Sequence, residues 1–300
     1  MACRRVDLRQ STVRHIGENY LVPRRQVMSI ARVMVYVDPT QQAEEQVRVA
    51  RSIADKFDAS LIGLSAFAVE PNFVAEGVII ADTTPEDLKR MKSALAEKEE
   101  WFRQIAGLPK DKVEWRWQVE KPTVFLANEA RSADFVVIKS KQVRIDPYHL
   151  VDPAEAVLRM GRPVILVPEF VHELRADRIM VGWKDTREAR LAVHDALPFL
   201  SRASEVAIVE ICTSDQQDLA RRRVRDVAEY LQIHGAKCRT DVRVHMAESD
   251  AHQLIRLAKE DGADLIVTGA YGRSRLGEWM FGGMTRGLID ESAVCLLMSH

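Results

Sequence analysis

The chain has 300 residues, 47% hydrophobic and 29% charged, the composition of an ordinary globular protein with room for about two domains of ~150 residues. A net charge of -1 argues against a general nucleic-acid binder, which needs a basic excess to displace counterions, and no apolar run approaches the roughly 18 residues that span a membrane. The four cysteines, Cys3, Cys212, Cys238 and Cys295, form no C-x-x-C pair and point to a reducing compartment.

Residues 1–27 set Arg4, Arg5, Arg9, Arg14, Arg24 and Arg25 against only Asp7 and Glu18, without the apolar region of a secretory signal. The arginine-rich text bears a weak resemblance to a transit peptide, but MSIARVMVYVD from Met28 reads as a domain start, so a disordered extension or an upstream start choice is expected before it. In the first half, strands are predicted over 31–37, 60–67, 112–119, 134–138 and 163–167, with helices over 41–57, 85–106, 121–131 and 153–160. In the second half, strands are predicted over 178–183, 204–211, 236–245, 263–268 and 293–298, with helices over 186–199, 214–234, 249–260 and 284–291. Short Val/Ile/Leu-rich runs alternating with amphipathic helices predict an α/β fold whose parallel sheet is covered on both faces. Its ligands are expected beyond the carboxyl ends of the strands.

The two halves repeat. Asp134 to Ile138 pairs with Asp264 to Thr268, and Val164 to Val167 with Val294 to Leu297, both at an offset of 130 residues. Upstream, Arg32 to Val35 pairs with Arg178 to Val181 at an offset of 146, and Thr40 falls opposite Thr186. Roughly sixteen extra residues therefore lie in the first half, most simply between Glu70 and Pro85. The expected organisation is an extension over 1–27, one domain over 28–168, a linker over 169–177 and a second domain over 178–300.

The strand text ADLIVT runs straight into Gly269, Gly272, Gly282 and Gly283. A strand followed by a glycine-spaced loop that opens a helix is a phosphate-binding arrangement, because glycine lets the backbone approach an anion and the helix presents unpaired N–H groups. The spacing Gly269-x2-Gly272-x9-Gly282, followed by Gly283, Met284 and Thr285, resembles the ATP-binding loop of the universal stress protein family. The final strand AVCLLMSH resembles that family's C-terminal end. Gly283 stands where the family's nucleotide binders usually carry Ser or Thr, and Thr285 offers a hydroxyl instead. At the end of the second half's first strand the text reads Gly182-Trp183-Lys184-Asp185-Thr186. Lys184 replaces the Asp common in the family, leaving Asp185 either to take over or to form a solvated loop pair. Arg286 is the preferred cation for phosphate, with Arg273 and Arg275 equally well read as solvated. Trp183 and Trp279 flank the expected site, for core packing or for stacking on adenine.

In the first half, Asp38-Pro39-Thr40 keeps the family pattern, but Lys139, Gln142, Asp152 and Pro153 stand opposite Gly269, Gly272, Gly282 and Gly283. Asp152 as N-cap, Pro153 at N1 and Glu155 at N3 form the signature of a capping box, which predicts a helix start filled from within and no phosphate there.

The resemblance implies two tandem Rossmann-like, flavodoxin-like doubly wound domains, the first degenerate. It further implies a cytoplasmic stress-response protein that binds ATP or a related adenine nucleotide, one per chain, and acts by changing its interactions with a protein partner. The family's homodimers resemble the pairing expected between the two halves inside the chain, which leaves a dimer of whole chains open. A nucleotide-independent scaffold and a slow ATPase are the alternatives. No Walker A sequence and no nucleophile, base and orienter set can be assembled, so catalytic residues are not assigned. His245 and His252 lack companions at metal-ligand spacing, and no metal site is predicted. Arg221, Arg222, Arg223 and Arg225 read as an exposed helix face, less often a docking patch. Trp101, Trp115 and Trp117 read as packing or interface residues.

Overall fold

The computed structural model describes residues 29–39, 43–68, 73–75, 78–80, 84–141, 148, 150–270 and 283–300. The first half runs β1 (Arg32–Tyr36), α1 (Glu44–Phe57), β2 (Ser60–Phe67), β3 (Phe73–Ala75), β4 (Val78–Ile80), α2 (Pro85–Ala106), β5 (Val113–Val119), α3 (Pro122–Glu129), β6 (Phe135–Lys139), α4 (Pro153–Arg159) and β7 (Val164–Val167). The second runs β8 (Arg178–Gly182), α5 (Arg187–Asp195), α6 (Leu197–Leu200), β9 (Glu205–Cys212), α7 (Gln217–Ile233), β10 (Cys238–Val244), α8 (Asp250–Glu260), β11 (Leu265–Gly269), α9 (Gly283–Glu291) and β12 (Cys295–Ser299).

Ten strands form one sheet in the order β10-β9-β8-β11-β12-β7-β6-β1-β2-β5. Read outward from the centre, each run of five has the same succession, and within each run the ladders are parallel. The runs meet where β12 pairs antiparallel with β7, with Leu297 opposite Ile165. Duplicated domains inherit a self-complementary contact of this kind between their terminal strands.

Successive strand residues point to opposite faces, so the apolar runs build one core above the sheet and another below it. Val33, Val35, Val137, Ile165, Val181, Val267 and Leu297 enter one core; Met34, Val136, Leu166, Met180, Ile266, Leu296 and Met298 enter the other. Both cores draw on both halves. On the first face, Phe199 of α6 meets Phe57 edge-on at 5.1 Å and Phe135 at 5.4 Å. The Arg202 guanidinium lies 4.4 Å from the Phe57 ring centre and donates to the Lys56 carbonyl.

The repeated aspartates do the same work twice. Asp134 Oδ2 accepts from the N–H groups of Ala31 and Arg32 at 2.8 and 3.0 Å, tying β6 to the start of β1. Asp264 accepts from Asp177 and Arg178 at 3.0 and 3.2 Å, tying β11 to the start of β8. The stretch between the halves is itself packed on α1. Leu174 and Ala176 are buried, the Leu174 N–H donates to Ser52 Oγ at 3.0 Å, and Lys56 Nζ lies 3.9 Å from Asp177.

Three local differences from the sequence expectation have physical causes. The helix expected over 186–199 breaks into α5 and α6, because Pro198 has no N–H to donate back along the helix. The extra residues of the first half contain the hairpin β3–β4. The capping box at α4 is half made: Asp152 Oδ1 accepts from Ala154 and Glu155 N–H groups at 2.8 and 3.2 Å, whereas the Glu155 carboxylate turns to Arg159 at 2.7 Å. The Asp152 N–H donates instead to Thr123 Oγ1 at 3.3 Å. Asp152→Ala is expected to cost about 1 kcal/mol in urea denaturation, the value of one N-cap.

Trp101 and Trp115 pack on the core, with the Trp115 ring 5.3 Å from Phe102, while Trp117 is exposed. Cys212, Cys238 and Cys295 are free thiols, and burial pushes Cys238 up to about 11 and Cys295 up to about 12. Among the described residues no helix is long and apolar enough to cross a membrane.

Candidate functional site

In the second half the chain leaves β8 toward α5 and its neighbour β11 toward α9, so the crevice between β8 and β11 is the switch point of the sheet. A cleft of about 280 Å³ opens there, at the carboxyl ends of β8, β9 and β11. Its walls are distinct in character. Val209 and Ile211 of β9 with Leu254 of α8 supply an apolar side. Thr268 and Gly269 of β11 with Met284 and Thr285 of α9 supply the side next to the α9 N-terminus. Gly182, Trp183 and Lys184 at the end of β8 lie between them, Thr186, Glu188 and Ala189 line the cleft from the start of α5 beside Gly269, and Asp250 at the start of α8 completes the lining.

Local chemistry fixes the floor. Thr186 is the N-cap of α5, its Oγ1 accepting from the Ala189 N–H at 3.2 Å, and its own N–H donates to the Lys184 carbonyl at 2.7 Å. This tight turn throws Lys184 and Asp185 apart. Lys184 lines the cleft, whereas Asp185 faces Arg190 at 2.5 Å in solvent and takes no part in the lining. Trp183 is anchored by its N–H to the Val209 carbonyl at 2.8 Å, and its ring belongs to the apolar core while edging the cleft. Its buried Nε1 has no hydrogen-bond partner among the described residues.

Gly269 has a role that the loop motif does not disclose. A Cβ there would lie 2.4 Å from the Ala189 nitrogen and 2.5 Å from the Glu188 carbonyl carbon, so the strand end packs backbone to backbone on the first turn of α5. The glycine is needed first for this close approach. Gly283 opens α9 in an exposed position with open space about it among the described residues, and Thr285 two residues on is buried. Arg286 does not reach the lining: it is exposed and lies 3.7 Å from Asp290 on its own helix. Gly272, Gly282, Arg273, Arg275 and Trp279 lie outside the described residues.

Of the sequence candidates, the cleft thus gathers Trp183, Lys184, Gly269, Met284 and Thr285. Two carboxylates that sequence reasoning missed join them. Asp250 is held by His245 Nδ1 at 2.6 Å. Glu188 is only 8% exposed and has no hydrogen bond or ion pair among the described residues. Its signal, an acid two places after a helix cap, reads equally well as a helix-dipole residue. Cys212, one residue beyond Ile211, has its thiol raised by burial and then by the Glu210 carboxylate. No group of three or more His, Cys, Asp or Glu that could hold a metal occurs among the described residues.

The corresponding end of the first half holds a capped helix start. Leu150 and Val151 are buried, the Tyr148 carbonyl accepts from the Ala68 N–H just past β2 at 2.7 Å, and Asp152 caps α4.

Residues 175–300 match the universal stress protein family. The match covers the half that holds the cleft. A universal stress protein from Archaeoglobus fulgidus superposes on the whole arrangement with a TM-score of 0.67 at 15% identity, covering 89% of this chain and 95% of that one. A Pseudomonas aeruginosa protein described as a universal stress protein gives 0.57 at 14% identity, covering 90% and 93%. At such identities the likeness establishes the fold alone: an α/β fold with a mostly parallel sheet of the universal stress protein type. No curated protein matches the sequence.

Proposed function

We infer that the chain is a tandem universal stress protein, with one domain over 28–168, a linker over 169–177 and a second domain over 178–300. Its second domain binds one adenine nucleotide, ATP or a relative, and the protein acts in the cytoplasm as a stress-response regulator through its interactions with a partner. The observation that carries this reading is the cleft at the β8/β11 switch point, which sets an apolar wall, a lysine and the start of α9 around one space. The apolar wall suits a base, and Lys184 with the positive end of the α9 dipole suits a phosphate. The family match over 175–300 supports it further.

Calorimetric titration with ATP is expected to give one site per chain, because the Asp152 carboxylate already takes up N–H groups at the matching helix start of the first half. Mass spectrometry of small molecules released from freshly purified protein is expected to find an adenine nucleotide. Two equivalent sites, or nucleotide density beside Asp152, would overturn the stoichiometry. A scaffold without nucleotide is the second reading, favoured by Lys184 in place of a carboxylate and by Gly283 in place of a hydroxyl. Absence of both co-purified and titratable nucleotide would select it.

A further inference from the structure

We propose that Glu188 accepts the ligand's ribose hydroxyls and makes the cleft selective for ribonucleotides; this rests on the nucleotide reading above. The sequence puts a lysine where a carboxylate is expected at the end of β8, and Asp185 beside it is spent on Arg190 in solvent. The carboxylates that do reach the cleft are Glu188 and Asp250. They differ in state. Asp250 is already bonded to His245, whereas Glu188 is buried in the cleft wall with neither a donor nor a cation among the described residues.

An ionised carboxylate only accepts hydrogen bonds, so a molecule bound against Glu188 must supply the donors. The helix dipole at the α5 N-terminus accounts for the charge being tolerated in this turn. It does not account for a place on the cleft wall, where a bound molecule supplies donors. An adenine nucleotide offers its exocyclic amine and its ribose hydroxyls, and position separates the two. The apolar wall of Val209, Ile211 and Leu254 lies on the β9 side, and the α9 N-terminus lies beyond β11. Glu188 stands over Gly269 at the end of β11, two strands from that wall and so away from the base, and an ionised phosphate offers it no donor. That is the place of the sugar, which links base to phosphate.

The test is a titration of wild type, Glu188→Gln and Glu188→Ala with ATP, 2′-deoxy-ATP, 3′-deoxy-ATP and 2′,3′-dideoxy-ATP, with circular dichroism to verify folding. Wild type is expected to bind ATP about tenfold to a hundredfold more tightly than the dideoxy compound, the range for hydrogen bonds to a charged group. Glu188→Ala is expected to bind ATP as weakly as wild type binds dideoxy-ATP and to lose the ratio. Glu188→Gln keeps the shape and is expected to retain part of it. A solely structural Glu188 would lower stability and leave the ribose to dideoxyribose ratio unchanged. An unchanged ratio in Glu188→Ala, or equal binding of all four compounds by wild type, overturns the inference and leaves the nucleotide reading standing. Wild type that binds none of them overturns both.

Discussion

Gly269→Val is expected to destabilise the protein by about 3 kcal/mol and to abolish binding in the cleft. The atoms that a Cβ would meet are the Ala189 nitrogen at 2.4 Å, the Glu188 carbonyl carbon at 2.5 Å and the Ala189 Cα at 2.9 Å. All three are backbone, so no side chain can rotate away, and α5 itself must retreat from β11. Overpacking of this kind costs about 1–3 kcal/mol and occasionally more, and the branched valine adds to it. The retreat also carries off Thr186, Glu188 and Ala189, three members of the cleft wall. Gly283→Ala is the matched control, since a Cβ there meets nothing within 4 Å among the described residues. It is expected to be neutral or to stabilise by up to about 1 kcal/mol through helix propensity. Urea denaturation of the two variants checks the contrast. Equal stability of Gly269→Val and wild type would show that strand and helix do not approach so closely.

Gly269 also marks how far the sequence could be read. Its spacing from the later glycines announces a loop at the end of a strand, but the pressure of α5 on it depends on how β8 and β11 lie side by side. The strands were legible because buried parallel strands are continuous apolar runs, and VILV, RIMVG and LIVTG leave no other reading. The chain symmetry was legible for the same reason: Asp134 and Asp264 repeat because each ties one strand to the start of its neighbour. Elements whose signal is short or irregular were not. The β3–β4 hairpin joins three-residue strands, too brief for alternation to declare itself. Within the site, Lys184 and Thr285 were read from the glycine motif and its companion strand, whereas Glu188 belongs to the cleft through the fold alone. The fate of Asp185 likewise hangs on Arg190, an ion pair that the loop text does not specify.

The arginine run on α7 shows the same limit, and yields the second large effect. Sequence placed Arg221, Arg222, Arg223 and Arg225 together on a solvated face. In the structure Arg223 turns inward and clasps Glu210, which is only 3% exposed within the apolar strand β9, with Nε at 3.0 and 3.2 Å from its two oxygens. The Glu210 partnership in turn holds the Arg223 guanidinium above its ordinary range. Removing one member of a buried pair strands the other's charge, which costs about 3–5 kcal/mol, and the partial exposure of Arg223 argues for the lower end. Arg223→Ala is therefore expected to lose about 3 kcal/mol in urea denaturation, whereas Arg222→Ala, exposed on the same helix, is expected to stay within about 0.5 kcal/mol of wild type. The double variant Glu210→Leu with Arg223→Leu is expected to recover most of the loss, because two packed apolar side chains leave no charge to solvate. Arg223→Ala as stable as Arg222→Ala would mean that water reaches Glu210 and the pair contributes nothing. A double variant no better than Arg223→Ala alone would assign the loss to missing packing instead of to the stranded carboxylate.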